Sequence, residues 1–486
     1  MTFLEKIKNN LNTYKNNVAF TIDEVSYTYK YFSEKIIAIQ QLLFNNNIKK
    51  NDIVIVHTNN DIETYASIFA IWFSGATFVP INPNHPKERN DLIINQFSGN
   101  ITLSSKENNS TLYTKNLPKV DTNITILNDN PNKTMYILFT SGSTGLPKGV
   151  AITLKNISSF IIDFSKNYAI DNTDKFLQIY DLTFDASVHC YLLPLYLGGS
   201  IYTVNPNKIK YLEAYKLIEK HQITFAKMPP SVIAYLKPFF NKINLPKLKY
   251  SLFGGEGLNF ELVKLWQNCV PNAQVQNVYG PTEATINTHI FNIPKQLNTD
   301  KIYNGIVSIG KPFGSNKAMI IDENNHILPK NIKGELCLYG NQITAGYWKN
   351  KAKNASSFFK MGTYKVYKTG DLAFIDDDGD FIFCGRIDNQ VQIQGYRVEL
   401  SEVENAARQF KKALNYTVVS VKNKFEVIEI VLFTEKLKTD SKQIQTFLKQ
   451  RLPNYMLPTK IINLENFPLT SSGKIDKQTM ISNYLN

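Results

Sequence analysis

A run of small hydroxyl and glycine residues is the stretch of this sequence that is best suited to bind phosphate. It follows the apolar residues Met135 to Phe139 and reads Thr140-Ser-Gly-Ser-Thr-Gly-Leu-Pro-Lys-Gly149. Glycine lets the backbone approach a ligand closely, and successive N–H groups with hydroxyls form a nest for anionic oxygens. Since short motifs also occur by chance, a Ser/Gly-rich surface turn is the alternative for this run taken alone.

The run is not the phosphate loop of the common nucleoside triphosphatases. That motif has Ser or Thr directly after its lysine, whereas Lys148 is followed by Gly149, and its glycines stand at other offsets. Apolar residues from Ile157 to Phe164 recur at helical spacing. The sequence therefore predicts a phosphate site of another kind, between a buried strand and a helix.

Two charged residues stand in apolar segments and are candidates for binding a charged ligand. Asp185 occurs in Thr183-Phe-Asp-Ala-Ser-Val-His189, ahead of a helical pattern that ends at a Gly-Gly pair. An ionised carboxylate among apolar neighbours needs a partner, and a helix N-cap is the alternative role for Asp. Lys227 stands on the strand pattern Ile223 to Pro230, where an ammonium finds an acceptor or extends along the surface to water.

Four further motifs have one charged residue within three positions after a glycine. They contain Glu283 in Tyr279-Gly-Pro-Thr-Glu283, Asp371 in Thr369-Gly-Asp371, Arg386 after Gly385, and Lys474 after Gly473. Each motif alone is compatible with a surface turn. A carboxylate is a hard oxygen ligand that suits Mg²⁺, and a planar guanidinium suits phosphate and ribose oxygens.

Together, and in this order, the motifs resemble those of the adenylate-forming superfamily, which includes acyl-CoA synthetases, luciferases and the adenylation domains of peptide synthetases. The resemblance spans nearly the whole chain and is to the amino-acid-activating branch, which also contains the D-alanine–carrier protein ligases. It implies a ligase that uses ATP and Mg²⁺ to convert an amino acid into aminoacyl-AMP, with release of pyrophosphate. The acyl group then passes to the phosphopantetheine thiol of a carrier protein.

The resemblance also implies roles for residues at the nucleotide. Lys474, Thr282 and Glu283 are implied to be catalytic, with Glu283 as the Mg²⁺ ligand. Asp371 is implied to accept both ribose hydroxyls, which a fixed carboxylate can do. The implied ATP-binding residues are Thr140, Ser141, Gly142, Ser143, Thr144, Gly145, Lys148, Asn277, Val278, Tyr279, Gly280, Pro281, Thr282, Asp371, Phe383, Arg386 and Lys474.

A substrate pocket is implied by matching positions, with Asp185 as the partner of the substrate α-ammonium. The pocket positions are Asp185, Ala186, His189, Lys227, Leu252, Gly254, Val278, Ile286 and Asn287. Gly254 is interpreted as leaving room at the pocket floor. Lys227, helped by His189 or Asn287, is expected to hold a side-chain oxygen of the substrate. We therefore expect Asp or Asn, with Glu or Gln next and D- or L-Ala as the runner-up.

For the thiol step, the resemblance implies a hinge at Asp388 and a thiol tunnel lined by Gly395. Gln392 and Gln394 stand where family members usually carry Lys and Arg, which bears on carrier docking. The sequence has no carrier segment or Asp-Ser-Leu attachment motif, so we expect a separate carrier protein or excision from a larger synthetase. The alternatives are an acyl-CoA synthetase and a nucleotide-binding regulatory protein without catalysis, which the intact Lys474 and Glu283 disfavour.

Length and patterning predict the elements that hold these residues. A chain of 486 residues exceeds a single core, and alternating strand and helix patterns predict an α/β fold with parallel sheets. We expect a large N-terminal domain at 1–387, of stacked βαβ-type sheets with helices on the faces. A small mobile α+β domain is expected at 388–486, with a capping box at Ser401-Glu-Val-Glu404.

Composition narrows the partners and the compartment. The net charge is +13, but the lysines are spread along the chain rather than clustered, so we do not expect the protein to bind nucleic acid. The uncharged run from Tyr65 to Pro86 is interrupted by glycine and prolines, and we expect a buried helix and strand rather than a membrane span. The four cysteines form no C-x-x-C pair, which disfavours a zinc site or a disulfide framework. A cytoplasmic protein is expected.

Overall fold

The computed structural model describes residues 1–97, 99, 101–107, 110–142, 146–388, 390–470 and 474–485. The chain folds as two compact units. The larger unit comprises Met1–Asn82, Phe97–Phe139 and Gly149–Ile387, and the smaller unit comprises Pro83–Gln96, Thr140–Lys148 and Asp388–Asn486. The predicted fold class, an α/β chain with a large N-terminal part and a smaller C-terminal part, is confirmed.

The helices and strands of the described residues are numbered in chain order. Helices α1 to α13 span Phe3–Thr13, Tyr29–Asn45, Ile62–Phe73, Lys87–Ile94, Leu154–Ser165, Asp185–Leu197, Lys210–His221, Pro230–Leu236, Phe260–Cys269, Lys351–Ser357, Leu400–Arg408, Ser441–Lys449 and Lys477–Leu485. Strands β1 to β14 span Val18–Ile22, Val25–Thr28, Ile53–His57, Thr77–Ile81, Ile101–Ser104, Leu112–Tyr113, Thr134–Thr140, Lys148–Thr153, Lys175–Gln178, Ser200–Thr203, Phe225–Met228, Tyr250–Phe253, Gln274–Tyr279 and His289–Asn292. Strands β15 to β28 span Ile302–Tyr303, Ile306–Val307, Lys311–Pro312, Lys317–Ile321, Gly334–Tyr339, Gly346–Tyr347, Phe358–Met361, Tyr364–Ile375, Phe381–Arg386, Gln390–Ile393, Tyr396–Glu399, Asn415–Lys422, Ile428–Glu435 and Lys460–Leu464.

Among the described residues, the larger unit has three sheets of five or more strands and the two-stranded sheet β15-β16. One has the strand order β17-β14-β13-β12-β11-β9-β10-β1-β2, and its six strands from β13 to β1 run parallel. A second has the order β20-β8-β7-β4-β3-β5-β6, with β7 to β6 parallel. The third is antiparallel, with the order β18-β19-β22-β21 and β23 on β22. Parallel strands need crossover helices, which explains the alternating patterns of the sequence.

The apolar run that raised the question of a membrane forms buried elements instead. All of α3 is buried, and its Phe69 and Trp72 pack against Tyr191 of α6. Strand β4 follows and is buried along its whole length. In the described part of the chain, no helix is long and apolar enough to cross a membrane.

The segment after the phosphate-binding run differs from its prediction. The run lies between two strands, because Lys148–Thr153 forms β8, which pairs with β20. The predicted helix follows as α5, with Thr153 as its N-cap and Asn156 completing a capping box. The sequence pattern located the helix correctly and missed the strand, because Val150, Ala151 and Ile152 are too short a run to be assigned by periodicity.

In the smaller unit, β26, β27 and β28 form one sheet and β24 and β25 a hairpin. Helix α11 buries Val403, Ala406 and Ala407, as its pattern predicts. The predicted capping box at Ser401 is wrong: the N-cap is Glu399, and its side chain makes no cap hydrogen bond. Strand β25 ends at Glu399 and the helix begins at the next residue, so Ser401 already lies inside the first turn.

Candidate active site

Two donors fix the carboxylate of Asp371 in the larger unit. Asp371 on β22 and Arg386 on β23 are directly paired residues of the antiparallel ladder, and Arg386 Nη1 lies 2.6 Å from Asp371 Oδ1. Tyr279 Oη, at the end of β13, donates to Asp371 Oδ2 at 2.5 Å. Burial and this carboxylate raise the pKa of Tyr279 well above its usual value, so the phenol stays protonated. A carboxylate has about four acceptor positions, so Asp371 keeps capacity for ligand hydroxyls.

A second carboxylate is fixed in the same way. Glu283 lies in the short 3₁₀-helix Thr282–Ala284 and is fully buried. Tyr347 Oη donates to Glu283 Oε1 at 2.7 Å, and the N–H of Thr344 donates to the backbone carbonyl of Glu283 at 2.9 Å. Mg²⁺ in phosphate-transfer sites is commonly held by one or two carboxylates plus substrate phosphates. A single carboxylate with a fixed orientation fits that requirement.

Asp185 is the first residue of α6 and does not cap it. The N-cap is Phe184, and no side-chain cap hydrogen bond is present, so the N-cap alternative does not hold. Asp185 is half-buried by surface area, yet burial of its carboxyl group raises its pKa to about 6. The charge of Lys227 and a hydrogen bond from Thr282 oppose this shift, and the charge of Glu283 adds to it. Asp185 is therefore close enough to Lys227, Thr282 and Glu283 for each of them to change its pKa.

Lys227 is enclosed in the protein and does not extend to water. It stands on β11 beside Leu252 of β12, is 3% exposed, and donates from Nζ to Asn287 Oδ1 at 3.2 Å. Burial lowers the pKa of Lys227 to about 8, although Cys190 and Asp185 favour its charge. The alternative of a lysine that snorkels to the surface is wrong for this residue. Its ammonium remains mostly protonated at neutral pH.

Buried polar atoms beside Lys227 lack partners in the protein. Both ring nitrogens of His189 lack a hydrogen-bond partner among the described residues, and so does Nδ2 of Asn287. Burial and the charge of Lys227 lower the pKa of His189 well below its usual value, so the ring is neutral. It is surrounded by the rings of Phe160, Phe164 and Phe225. Buried polar groups without partners are uncommon in proteins, which makes these atoms candidates for contact with a ligand.

Gly254 has a different reason to be glycine than the one expected. A Cβ at this position would lie 2.6 Å from the carbonyl oxygen of Val278 and 2.9 Å from its Cγ2. Glycine is therefore required by the close approach to Val278 at the end of β13. The interpretation that Gly254 leaves open space at the pocket floor is wrong.

The run that is predicted to bind phosphate belongs to the smaller unit, where its donors contact carboxylates. Ser143, Thr144 and Gly145 lie outside the described residues. Among the described ones, the N–H of Gly142 donates to Glu402 Oε2 at 3.3 Å, and Lys148 Nζ lies 3.7 Å from Glu399 Oε1. Glu402 is also paired with the buried Arg89 at 2.5 Å. Carboxylate oxygens thus already contact an N–H and an ammonium of this run, as anionic oxygens of a ligand would.

A comparison with known proteins assigns the family. The family model described as AMP-binding enzyme matches residues 7–348. The chain belongs to the AMP-binding enzyme family. Zwittermicin A synthase ZmaJ of Bacillus cereus is 29% identical, and the match covers 96% of this chain and 92% of that protein. A plipastatin synthase of Bacillus subtilis is 30% identical over 93% of this chain, which spans only 13% of that protein.

Solved structures share the fold of this AMP-binding enzyme. The Vibrio cholerae adenylation domain AlmE, in complex with glycyl-adenosine-5'-phosphate, superposes with a TM-score of 0.88 over 99% of this chain and 97% of that one. The adenylation and carrier protein PA1221 also has a TM-score of 0.88, over 99% of this chain. At 24% and 22% identity, these two likenesses show the fold.

In the AMP-binding enzyme described here, Lys474 lies in an exposed loop of the smaller unit. Its backbone exchanges hydrogen bonds with Thr470, beside a bridge between Leu469 and Ile475, and Gly473 lies outside the described residues. Gly395 has a φ of +83° at the turn between β24 and β25, where glycine is favoured. Asp388 Oδ1 accepts the N–H of Gln390 at 3.2 Å.

Two residues expected at the nucleotide have structural contacts. Asn277 Nδ2 donates to the backbone carbonyls of Val307 and Ser308, so its amide ties β13 to the following segment. Phe383 is partly buried on β23, against the core of the antiparallel sheet. These contacts leave the predicted roles of both residues untested.

Sequence reasoning missed the residues that hold the site, foremost Tyr347 and Gln342. The motif Ala345-Gly-Tyr-Trp348 contains Tyr347, yet nothing in the local sequence shows that its hydroxyl reaches Glu283.

Sequence reasoning also missed a buried lysine, Lys301, whose Nζ donates to three carboxylates. The three are Asp376, Asp378 and Asp380. An ammonium fills the centre of this acidic group, which identifies it as an internal ion-pair cluster.

Proposed function

We propose that this AMP-binding enzyme activates an amino acid as aminoacyl-AMP and passes it to the phosphopantetheine thiol of a carrier protein. The observation that carries the proposal is the environment of Asp185. Its carboxyl group accepts a hydrogen bond from Thr282 and feels the charges of Lys227 and Glu283. An anion that pairs with a substrate ammonium therefore lies beside the segment that is expected to bind metal and phosphate.

The proposed first step is attack of the substrate carboxylate on the α-phosphate of ATP. Both groups are anionic, so the protein must supply alignment and positive charge rather than a nucleophile. Asp371 and Arg386 orient the ribose, Asp185 holds the α-ammonium, and Lys474 contributes positive charge. Glu283 would hold Mg²⁺, which when bound neutralises phosphate charge. Pyrophosphate leaves as the acyl–phosphate bond forms.

The proposed second step transfers the acyl group to a thiol. The acceptor is a carrier protein, a partner supported by PA1221, a structurally similar protein that contains both an adenylation domain and a carrier domain. For this step we propose that 388–486 moves as a domain about the hinge Asp388. Gly395 then lines the path of the phosphopantetheine arm, where the absence of a side chain gives the arm room.

We propose an acidic amino acid, Asp before Asn, as the preferred substrate. The ammonium of Lys227 has a neutral acceptor in Asn287, while the nearby negative charge of Asp185 is needed by the substrate α-ammonium. A substrate side-chain carboxylate restores the charge balance, and it accepts hydrogen bonds from both Lys227 and the unpartnered Nδ2 of Asn287. An amide satisfies the hydrogen bonds but leaves the buried charge without a counter-ion, which is costly.

ATP–pyrophosphate exchange over a panel of amino acids tests the proposal. We expect the highest kcat/KM with Asp, and a shift of preference toward apolar amino acids in Lys227→Met. Lys133→Met is the matched control, since Lys133 is 4% exposed, has a pKa lowered to about 8 by burial, and binds the backbone carbonyls of Trp72 and Asn128. This control should lower stability and leave the preference unchanged. A clear wild-type preference for Ala, Val or Phe contradicts the proposed substrate, and no exchange with any amino acid contradicts the proposed reaction.

A further inference from the structure

A strained turn joins the expected metal ligand to the amino-acid pocket. Thr285 and Ile286 have φ angles of +56° and +76°, in the left-handed region that β-branched residues strongly avoid. Glu283 lies just before this turn and Asn287 directly after it. Such a conformation persists only where surrounding contacts impose it, and it is typical of functional sites. The contacts that impose it therefore determine where both side chains stand.

One buried side chain, Gln342, supplies most of these contacts. It is fully buried, and its Nε2 donates one hydrogen to the backbone carbonyl of Asn287 at 2.8 Å and shares the other between the carbonyls of Ala284 and Thr285, both at 3.2 Å. The backbone carbonyl of Gln342 accepts the hydroxyl of Thr285 at 2.5 Å. Gln342 thus binds the turn before, within and after its two strained residues.

A neighbouring amide orients Gln342. Asn316 Nδ2 donates to Gln342 Oε1 at 2.7 Å and to the carbonyl of Phe313 at 2.9 Å. Because Oε1 of Gln342 accepts this hydrogen bond, its Nε2 must face the turn. The residues that follow Gln342 continue the support, since Thr344 and Tyr347 both bind Glu283. One segment therefore holds the metal ligand and the pocket residue together.

We propose that Gln342 is a positioning residue, which holds the strained Thr285–Ile286 turn and so places Glu283 for the metal and Asn287 for the amino acid. The part that concerns the amino acid rests on the proposed function. Without Gln342, the turn is free to relax toward a less strained backbone, and both side chains move. The inference predicts that one substitution outside both sites weakens metal binding and amino-acid binding together.

The test compares Gln342→Met with Gln40→Met. Gln40 is a matched control because it is 3% exposed and binds the backbone carbonyl of Thr125 through Nε2, on an element without site residues. The readouts are thermal stability, binding of Mn²⁺ with a non-hydrolysable ATP analogue by electron paramagnetic resonance, and calorimetric binding of the amino acid that wild type prefers. For Gln342→Met we expect both dissociation constants to rise about fivefold or more. Gln40→Met should lower stability and leave both constants unchanged.

Asn316→Ala tests the same inference with a smaller disturbance, since it keeps Gln342 and removes the bond that orients it. Both constants should again rise together, by about two- to threefold. If either variant folds and only its stability falls, Gln342 merely fills the core and the proposal is wrong. Use of the amino acid that wild type prefers keeps this result independent of the substrate proposed above. If wild type binds no amino acid, the proposed function fails, while the Mn²⁺ readout still decides the role of Gln342.

Discussion

The nucleotide side and the amino-acid side of the candidate site are built on opposite principles. On the nucleotide side, the carboxylates of Asp371 and Glu283 are each held by a tyrosine hydroxyl, and Asp371 also by Arg386. On the amino-acid side, the ammonium of Lys227 has a neutral amide acceptor, and both ring nitrogens of His189 have no partner in the described structure. The two carboxylates of the nucleotide side have hydrogen-bond partners before a ligand binds, whereas the His189 ring of the amino-acid side has none among the described residues.

The difference indicates how binding free energy is distributed between the two sides. A satisfied carboxylate is already oriented, so a nucleotide binds it without rearrangement of the protein. An unpaired buried group carries a desolvation cost of about 1–3 kcal/mol, which a ligand with the right side chain removes. A ligand without that side chain leaves the cost in place. We therefore expect a change at Asp371 to alter nucleotide affinity, and a change at Lys227 to alter selectivity among amino acids.

Asp185→Ala is expected to have the largest effect on the amino-acid side. Loss of the carboxylate leaves the substrate ammonium unpaired in a desolvated place, which costs about 3–5 kcal/mol, or roughly two to four orders of magnitude in kcat/KM for the amino acid. The measurement is pyrophosphate exchange, with nucleotide binding as the control that should stay unchanged. If the variant loses only thermal stability, Asp185 has a structural role in α6 and does not bind the substrate ammonium.

Lys474→Ala is expected to lower the rate while both binding sides stay intact. Removal of one contact to charge that develops in the transition state typically costs about 10²-fold. Exchange activity should fall by this factor, with unchanged binding of ATP and amino acid. Lys477→Ala is the control, since Lys477 lies three residues on and contacts the backbone of Val418 in its own unit. Exchange that survives Lys474→Ala within about tenfold refutes the catalytic role.

Asp371→Asn is expected to weaken ATP binding without a change of selectivity. The amide cannot accept two hydroxyls and the Arg386 guanidinium as a carboxylate does, so the KM for ATP should rise about tenfold. Asp380→Asn is the control on the neighbouring part of the same sheet, since Asp380 is 9% exposed and pairs with Lys301. A changed order of preference among amino acids in Asp371→Asn would show that the two sides are not separate.

The fold and the chemistry of the motifs were predictable because they depend on local patterns. The helices around Phe69 and Val403 follow from apolar spacing, and the charged residue of each motif follows from residue type. The errors share one cause, which is contact between distant segments. Ser401 matched a capping box, but strand β25 runs directly into the helix and makes Glu399 the N-cap. Gly254 matched a pocket position, but its neighbour Val278 explains the glycine.

The supporting residues were not predictable for the same reason. Tyr347 reaches Glu283 across 64 positions, and Gln342 reaches Asn287 across 55. Neither residue type signals such a role, since most tyrosines and glutamines have none. His189 and Asn287 were each expected to help Lys227 hold a substrate oxygen, and only the tertiary structure shows that Lys227 donates to Asn287. A sequence thus indicates which groups carry charge, and tertiary contacts decide which of them are satisfied.

The smallest of the expected effects is the change of amino-acid binding with pH. This change reports on Asp185 and Lys227, the two charged groups of the amino-acid side. Asp185, with a pKa of about 6, must be ionised to hold the α-ammonium, so binding is lost as the pH falls through 6. Lys227, with a pKa of about 8, must be protonated to hold a side-chain carboxylate, so binding is lost as the pH rises through 8. Binding should therefore be strongest between these values and fall by up to about tenfold per pH unit outside them.

Two variants separate the limbs of this profile. Lys227→Met should flatten the alkaline limb between pH 8 and 9, and Asp185→Asn the acid limb between pH 5 and 6, in calorimetric titrations with aspartate. Binding of ATP by wild type and by both variants serves as the reference, because neither substitution should change its pH profile. An alkaline limb that persists in Lys227→Met would belong to the ligand and would remove Lys227 as the carboxylate partner. A flat wild-type profile would show that neither charge is used, and the amino-acid side would then select its ligand by shape.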